Sequence, residues 1–254
     1  MKAKIVALTG RKGNKLALET ARKALKLLEG KVRVETDKGF LGKGKPLGKI
    51  RAGLVLSFGG DGTLLKTFRE LKARAPVMEI NCGNKGFLSA YQHNEIGKAV
   101  EAALKGNFSV EERSRVSAKI DGKIKGAALN EVLIVPKAAG RMLKCSLRVG
   151  GEERIEAGDG LIIATPTGST AHSLSAGGPV VKGNAKVFVV VSVNPVDWKH
   201  RPLIVNDHEK IIVSGFGKSG AIVVVDGQER FAVKKKIELI KGASVLLARK
   251  KGLK

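Results

Sequence analysis

Up to Gly106, short apolar runs alternate with segments whose apolar residues recur at helical spacing. Lys4 to Thr9 predicts a buried strand, followed by the turn Gly10-Arg11-Lys12-Gly13. A helix is predicted from Asn14, a residue type suited to accept the free N–H groups of a first turn. It carries Leu16, Thr20, Ala24, Leu27 and Leu28 at helical spacing and stops at Gly30. Val32 to Glu35 predicts a second strand and Asp37 to Lys49 a loop rich in Gly and Lys. Gly53 to Phe58 predicts a third strand that runs straight into Gly59-Gly60-Asp61-Gly62-Thr63. A helix over about Thr63 to Lys72, a strand over Pro76 to Ile80 and a helix from Glu95 to Lys105 complete the alternation. Strands alternating with helices argue for an open parallel sheet covered by helices on both faces.

After Gly106 the period changes. Apolar or alternating runs recur with glycine turns between them, at Arg115 to Ile120, Glu131 to Val135, Lys144 to Val149, Leu161 to Ala164, Val187 to Val193, Lys210 to Ser214 and Ala221 to Val225. The expected fold class is an α/β N-terminal domain with a parallel sheet, over 1–105, plus a mostly antiparallel β-rich C-terminal domain, over 106–254. No internal repeat is visible, and the one biased segment is the basic tail from Arg249 to Lys254.

Composition narrows the class further. Aromatics are only 4% of the 254 residues, so a core must be built from Val, Ile, Leu and Ala. No stretch approaches the roughly 20 apolar residues of a membrane-spanning helix, and Met1 to Ile5 carries no signal-peptide pattern. Cys82 and Cys145 suggest neither a disulfide framework nor a metal-ligand spacing, and His93, His172, His200 and His208 form no HExxH-like arrangement. The expectation is a cytoplasmic protein with no membrane partner. The 47 Lys+Arg against 23 Asp+Glu leave a net charge of +24. Such an excess concentrates polyanions around the chain. The basic residues are nevertheless dispersed, with few aromatics among them to stack bases, so no specific nucleic-acid binding is expected.

Four stretches carry chemistry. Gly59-Gly60-Asp61-Gly62-Thr63 lies where a parallel strand ends and a helix begins, the side of an α/β sheet where ligands bind. Glycines there let the backbone approach phosphate oxygens. A carboxylate in reach of a sugar hydroxyl can take its proton, although Asp61 or Thr63 could equally cap the helix. Asn81-Cys82-Gly83-Asn84-Lys85-Gly86-Phe87-Leu88 is a second tight loop after a strand. Asn130-Glu131 places an amide and an acid at the mouth of an apolar strand, groups suited to ribose hydroxyls and adenine edges. From Asp159 to Pro179 an apolar strand gives way to small and hydroxyl-bearing residues closed by Gly177-Gly178-Pro179, room for a flat base against the backbone. By contrast, Gly215-Phe216-Gly217-Lys218-Ser219-Gly220 matches G-x-G-x-x-G but leads into a strand where the dinucleotide fingerprint needs a helix. It predicts a β-hairpin loop.

In this order, Gly59 to Thr63, Asn81 to Leu88, Asn130-Glu131, Thr165 to Pro179, His200 to Leu203 and Val225-Asp226-Gly227-Gln228 resemble the NAD kinase family. The pentapeptide is shared with phosphofructokinases and with diacylglycerol- and sphingosine-type lipid kinases, whereas the Thr165 to Pro179 block is specific. The resemblance implies phosphorylation of the adenosine 2′-hydroxyl of NAD to NADP, with ATP or polyphosphate as donor and Mg²⁺ accompanying it. It implies that Asp61 accepts the proton, with Gly62 and Lys66 beside the ligand. Asn130 and Glu131 would hold ribose hydroxyls, and Arg141 and Asp159 would add contacts to NAD. Thr170, Ala171, His172, Ser173, Leu174 and Ser175 would form the adenine pocket, with Gln228 a further candidate. His172 stands where the family usually has tyrosine, a departure that bears on affinity more than on function. The resemblance also implies a homodimer or homotetramer and a C-terminal segment that returns to the first domain. A lipid kinase sharing the pentapeptide, or a basic nucleic-acid-binding protein, are the readings it competes with.

Overall fold

A computed structural model describes residues 3–252 apart from 85, 218 and 219. The predicted Asn81–Leu88 loop and the G-x-G-x-x-G segment therefore each have a part outside the described residues, namely Lys85 and Lys218-Ser219, as do Met1-Lys2 and the last residues of the basic tail, Leu253 and Lys254. The chain divides into two compact units, Met1–Glu112 with Val245–Lys254, and Arg113–Ser244. The expected boundary after Gly106 instead marks a helix end: Gly106 is the left-handed C-cap of the preceding helix, at φ 69°. The strand that follows runs unbroken through the division.

The first unit is a parallel sheet. β1 (Ile5–Gly10), β2 (Arg33–Thr36), β3 (Leu54–Gly59) and β4 (Pro76–Asn81) lie in the order β4-β3-β1-β2, and residues Leu246–Ala248 return to pair in parallel with Pro76–Met78. A short β5 (Tyr91–Gln92) also pairs with β4. β1, β3 and β4 are buried along almost their whole length, which explains why they read as continuous apolar runs rather than alternations. The chain moves to one side of β1 for β2 and to the other for β3, so the carboxyl ends of β1 and β3 form the crevice where such sheets bind ligands.

α1 (Lys15–Leu28) starts at Asn14, whose side chain accepts from the Ala17 N–H at 3.0 Å. Its buried face is Ala17, Thr20, Ala21, Ala24 and Leu28, while Leu16 and Leu27, counted in the apolar face above, are exposed. The buried residues of α1 are mostly small, and its packing partners include α4 (Ile96–Lys105), which follows the short α2 (Lys38–Leu41) and α3 (Asp61–Glu70). α1 and α4 share one core with Leu8, Leu56, Phe58, Met78 and Ile80.

The second unit is antiparallel throughout its described ladders. Its strands are β6 (Phe108–Ile120, whose first residues belong to the first unit), β7 (Lys123–Ala128), β8 (Glu131–Pro136), β9 (Leu143–Val149), β10 (Glu152–Gly158), β11 (Gly160–Ala164), β12 (Val187–Val193), β13 (Leu203–Asn206), β14 (Ile211–Ser214), β15 (Ala221–Val225), β16 (Glu229–Val233) and β17 (Lys236–Lys250, ending in the first unit). One sheet has the order β13-β12-β11-β8-β15-β16; against it lie β10-β9-β14-β17 and the β6–β7 pair. Inward residues of both, among them Val132, Ile134, Leu161, Ile163, Cys145, Leu147, Val213 and Ile237, fill a single core. The expected hairpin at Gly215–Gly220 is not one: β14 pairs with β9 and β17, β15 with β8 and β16, so this segment crosses between sheets. Both flanking strands are apolar on their inner faces, and either partner choice satisfies the same local pattern.

Candidate active site

In the first unit the glycine turn closes β3 onto α3. Gly60 is the N-cap and uses no side-chain cap, so Asp61 is the first helical residue and its carboxylate does not cap the helix. The Gly60 carbonyl accepts from Thr63 N–H at 2.7 Å and Leu64 N–H at 3.2 Å. A Cβ on Gly59 would overlap the Thr63 side chain, which explains the glycine there without any ligand. The Asp61 carboxylate turns instead to the loop after β4. Its Oδ2 accepts from the Phe87 N–H at 3.2 Å and its Oδ1 from the Leu88 N–H at 3.1 Å. Two loops singled out separately in sequence thus form one arrangement, with the half-buried acid held from behind by amides. Asn81 shapes that loop from its base: its Oδ1 accepts from Gly83 N–H at 3.0 Å and its Nδ2 donates to Gln92 at 2.9 Å. Gly62 is exposed beside Asp61. Lys66 is exposed one turn further along α3 and pairs with Glu70 at 3.8 Å.

In the second unit the organiser is Asp226, in the turn after β15 at φ 49°. Its Oδ1 accepts from Asn130 N–H at 2.7 Å and Glu131 N–H at 3.3 Å, and its Oδ2 from Leu129 N–H at 2.9 Å. Its own N–H donates to the Glu131 carbonyl at 3.0 Å. This grip fixes Asn130, half-buried, and Glu131, buried at the mouth of β8. Burial first, and then the negative charge of Asp226, push the Glu131 carboxyl up to about 7, and its Oε2 is buried with no hydrogen-bond partner. Thr165, fully buried, joins the same turn through its N–H on the Asn130 carbonyl at 2.8 Å and its hydroxyl on the Leu129 carbonyl. A Cβ on Gly168 would collide with the Asn130 backbone, so Asn130 and the Thr165–Thr170 turn are in direct backbone contact.

The hydroxyl-rich block then forms a 3-10 turn at Gly168–Thr170 and a short α5 at His172–Ser175. Thr170, His172, Leu174 and Ser175 are exposed, Ala171 is half-buried, and Ser173 is fully buried with its hydroxyl unpartnered. Gln228 is exposed in the Asp226 turn, close in sequence to the residue that holds Asn130. Arg141 is exposed in the loop between β8 and β9. Asp159, between β10 and β11, accepts from Asn194 Nδ2 at 2.8 Å at the surface. His200 meets the buried Glu156 at 3.1 Å, which also takes Arg154 at 2.5 Å and Ser192 at 2.6 Å, so this part of the motif series secures a strand edge.

Sequence reasoning placed Phe87, Leu88 and Asp226 in motif stretches but gave no role to the two amides or to Asp226. The first leave no side-chain signal. Asp226 did: Asp-Gly after an apolar run marks a tight turn with positive φ. Among the described residues no three His, Cys, Asp or Glu side chains gather into a metal-binding group, and no helix is long and apolar enough to cross a membrane.

A glycine turn presenting a carboxylate at the switch point of a parallel sheet, in a chain whose β-rich unit presents an amide and an acid beside a hydroxyl-rich turn, defines a phosphoryl-transferring enzyme of the Gly-Gly-Asp-Gly-Thr kinase type. Residues 45–108 match the ATP-NAD kinase N-terminal domain and residues 129–245 the ATP-NAD kinase C-terminal domain. The chain is 35% identical over 187 residues to the NAD kinase of Methanopyrus kandleri, covering 73% of this chain and 67% of that one. It is 37% identical over 193 residues to the NAD kinase of Methanoculleus marisnigri, covering 75% and 71%. The crystal structure of an NAD kinase from Archaeoglobus fulgidus in complex with ATP superposes with a TM-score of 0.78 at 28% identity, covering 97% of this chain and 94% of that one. The chain belongs to the NAD kinase family and is a phosphotransferase.

Proposed function

We propose that this enzyme phosphorylates the adenosine 2′-hydroxyl of NAD to make NADP, with ATP or polyphosphate as donor. The observation that carries the reading is the Asp61 carboxylate, held by two backbone amides at the end of β3 rather than consumed as a helix cap. Asp61 accepts the proton of the attacking hydroxyl, which is a poor nucleophile until a base is in hydrogen-bond reach. Gly62 adds no side chain between the turn and the phosphate oxygens, and Lys66 can exchange its weak pairing with Glu70 for them.

Asn130 and Glu131 hold ribose hydroxyls. The Glu131 Oε2 is buried without a donor, and a ribose hydroxyl would supply one once the side chain turns toward the ligand. Thr170 to Ser175 receive the adenine, with the exposed Thr170 and Ser175 hydroxyls as polar contacts and His172 able to stack and hydrogen-bond in place of tyrosine. Arg141, Asp159 and Gln228 extend the contacts to the rest of NAD. Mg²⁺ bound with the donor would neutralise charge on its phosphates; among the described residues no three His, Cys, Asp or Glu side chains gather to hold it. The active form is a homodimer or homotetramer in which the Asp159 region reaches a neighbouring copy, acting in the cytoplasm and without a nucleic-acid or membrane partner.

The test is incubation with NAD or NADH, Mg²⁺ and, separately, ATP, another nucleoside triphosphate or polyphosphate, reading phosphorylated product and its position by NMR. Product at the 2′ position is expected. A melting temperature raised by a lipid head group and not by NAD would overturn the reading. Light scattering during turnover tests the assembly, and a fully active monomer would remove it.

A further inference from the structure

Beneath the Asp61 loop lies a second carboxylate that none of these roles uses. Glu79 sits on β4, inside the parallel sheet, and is fully buried. An acid is rarely buried so completely unless it is paired, because desolvation penalises its charge. Its Oε2 accepts from the Ser89 hydroxyl at 3.4 Å, and its Oε1 has no hydrogen-bond partner. Its backbone carbonyl accepts from the Ala90 N–H at 3.0 Å.

Ser89 closes the turn that begins at Gly86. Its N–H donates to the Gly86 carbonyl at 3.4 Å, and its own carbonyl accepts from Arg249 at 3.3 Å. A Cβ on Gly86 would overlap the Ser89 hydroxyl and press on Asn81 at 2.9 Å, so the turn has no slack on that side. Between Gly86 and Ser89 lie Phe87 and Leu88, whose N–H groups hold the two oxygens of Asp61.

We propose that Glu79 is a positioning residue for phosphoryl transfer: from the buried strand it anchors Ser89, and through the Gly86–Ser89 turn it fixes the two amides that aim the Asp61 carboxylate. The inference rests on Asp61 being the base. The charged and titratable groups facing Glu79 are Asp61 from α3, Arg249 from the returning strand and the thiol of Cys82 beyond the end of β4, with the Ser89 hydroxyl from the loop. Burial first and the Asp61 charge second push the Glu79 carboxyl up to about 8, against the opposing pull of Ser89 and Arg249. At neutral pH Glu79 is the uncharged acid, and a neutral acid can lie opposite Asp61 without repulsion. When it ionises, a second buried negative charge faces Asp61 and draws water or Arg249 toward it. The turn loosens and the amides leave their positions on Asp61.

The experiment compares the wild type with Glu79→Gln, which stays neutral and can still bond Ser89, and with Glu79→Ala, which cannot. The wild-type kcat is expected to fall as pH rises through about 8. Glu79→Gln is expected to keep kcat at pH 7 within about threefold and to lose that alkaline fall, since the geometry is kept and the titration removed. Glu79→Ala is expected to lose about 10–100-fold in kcat with KM for NAD little changed, the effect of a misaimed group rather than a lost contact. A second readout needs no turnover: the Phe87 and Leu88 amide resonances should shift through about pH 8 in the wild type and stay in place in Glu79→Gln. An alkaline fall or amide titration that persists in Glu79→Gln overturns the proposal, even if Glu79→Ala does not fold. A wild type that makes no NADP would defeat the kinase reading instead, and the amide titration would still decide the role of Glu79 in the turn.

Discussion

Each unit sets an aspartate and a glutamate side by side, and the two pairs are built to opposite ends. In the first unit two backbone amides serve Asp61, and the amides belong to the loop while the acid is the group proposed above as the base. In the second unit three backbone amides serve Asp226, and there the acid is the fixture while the segment it grips, Asn130-Glu131, is what a ligand would meet. The glutamates follow suit. Glu79 is pushed up to about 8 and Glu131 to about 7, each by burial and then by the neighbouring aspartate. Glu79 is sealed within β4 and Glu131 lies at the mouth of β8, each buried with one oxygen unpartnered. The same two residue types thus give an aspartate held by the backbone over a buried glutamate in one case, and an aspartate that holds the backbone beside a buried glutamate in the other. What separates the cases is which member of the pair the backbone amides converge on.

The sharpest break of this comparison is Asp61→Asn, which keeps the shape and loses the basicity. Turnover is expected to fall about 10²–10⁴-fold, with NAD affinity by calorimetry nearly unchanged. Near-normal turnover would remove Asp61 as the base. Asp226→Ala attacks the other aspartate and is expected to show the converse. Three amides lose their acceptor and a non-glycine residue is left at positive φ, so unfolding free energy should drop by about 2–3 kcal/mol. NAD binding should weaken with it. A urea midpoint and NAD affinity both at wild-type level would show that the grip on Asn130-Glu131 does nothing.

Glu131→Gln sharpens the contrast between the glutamates. A carboxyl whose folded-state value is raised binds its proton more tightly folded than unfolded. The stability it contributes is present below its ordinary value near 4.5 and is lost as pH rises through about 7. Wild-type stability should therefore decline over that window by on the order of 2 kcal/mol from this group, and Glu131→Gln should flatten the decline. Urea titrations from pH 5 to pH 8 read the difference, and an equal slope in both proteins would contradict the assignment. The smallest effect is expected from Lys66→Ala. An exposed pair such as Lys66–Glu70 is worth about 0–1 kcal/mol, so stability should hardly move while KM for the donor rises. Unchanged donor kinetics would take Lys66 out of the site.

Much of the first unit was legible because parallel strands buried on both faces announce themselves as apolar runs, and Asn14 and Gly106 mark helix ends by side-chain and backbone chemistry that is local. The antiparallel character of the second unit was equally plain from its short runs and glycine turns. The Gly215–Gly220 segment shows the limit: a strand–loop–strand pattern is the same whether the strands pair with each other or with others, and β14 and β15 chose different sheets. The α1 face shows another, since Leu16 and Leu27 carry the helical period as well as Ala17 and Ala21 do, and only the packed core shows which of them it buries.

By itself, the sequence determined the alternation of elements, the family and the short stretches proposed to carry its chemistry, because each of these is written in residues within a few positions of one another. The tertiary structure decided what those stretches do to each other. Asp61 is separated in sequence from the amides that hold it, Asn130 from Asp226, and Glu79 from Ser89, and no local pattern encodes such pairs. Whether a carboxylate reacts, anchors or waits protonated depends on how many donors reach it and how much water is kept away. Those quantities exist only once distant segments have packed.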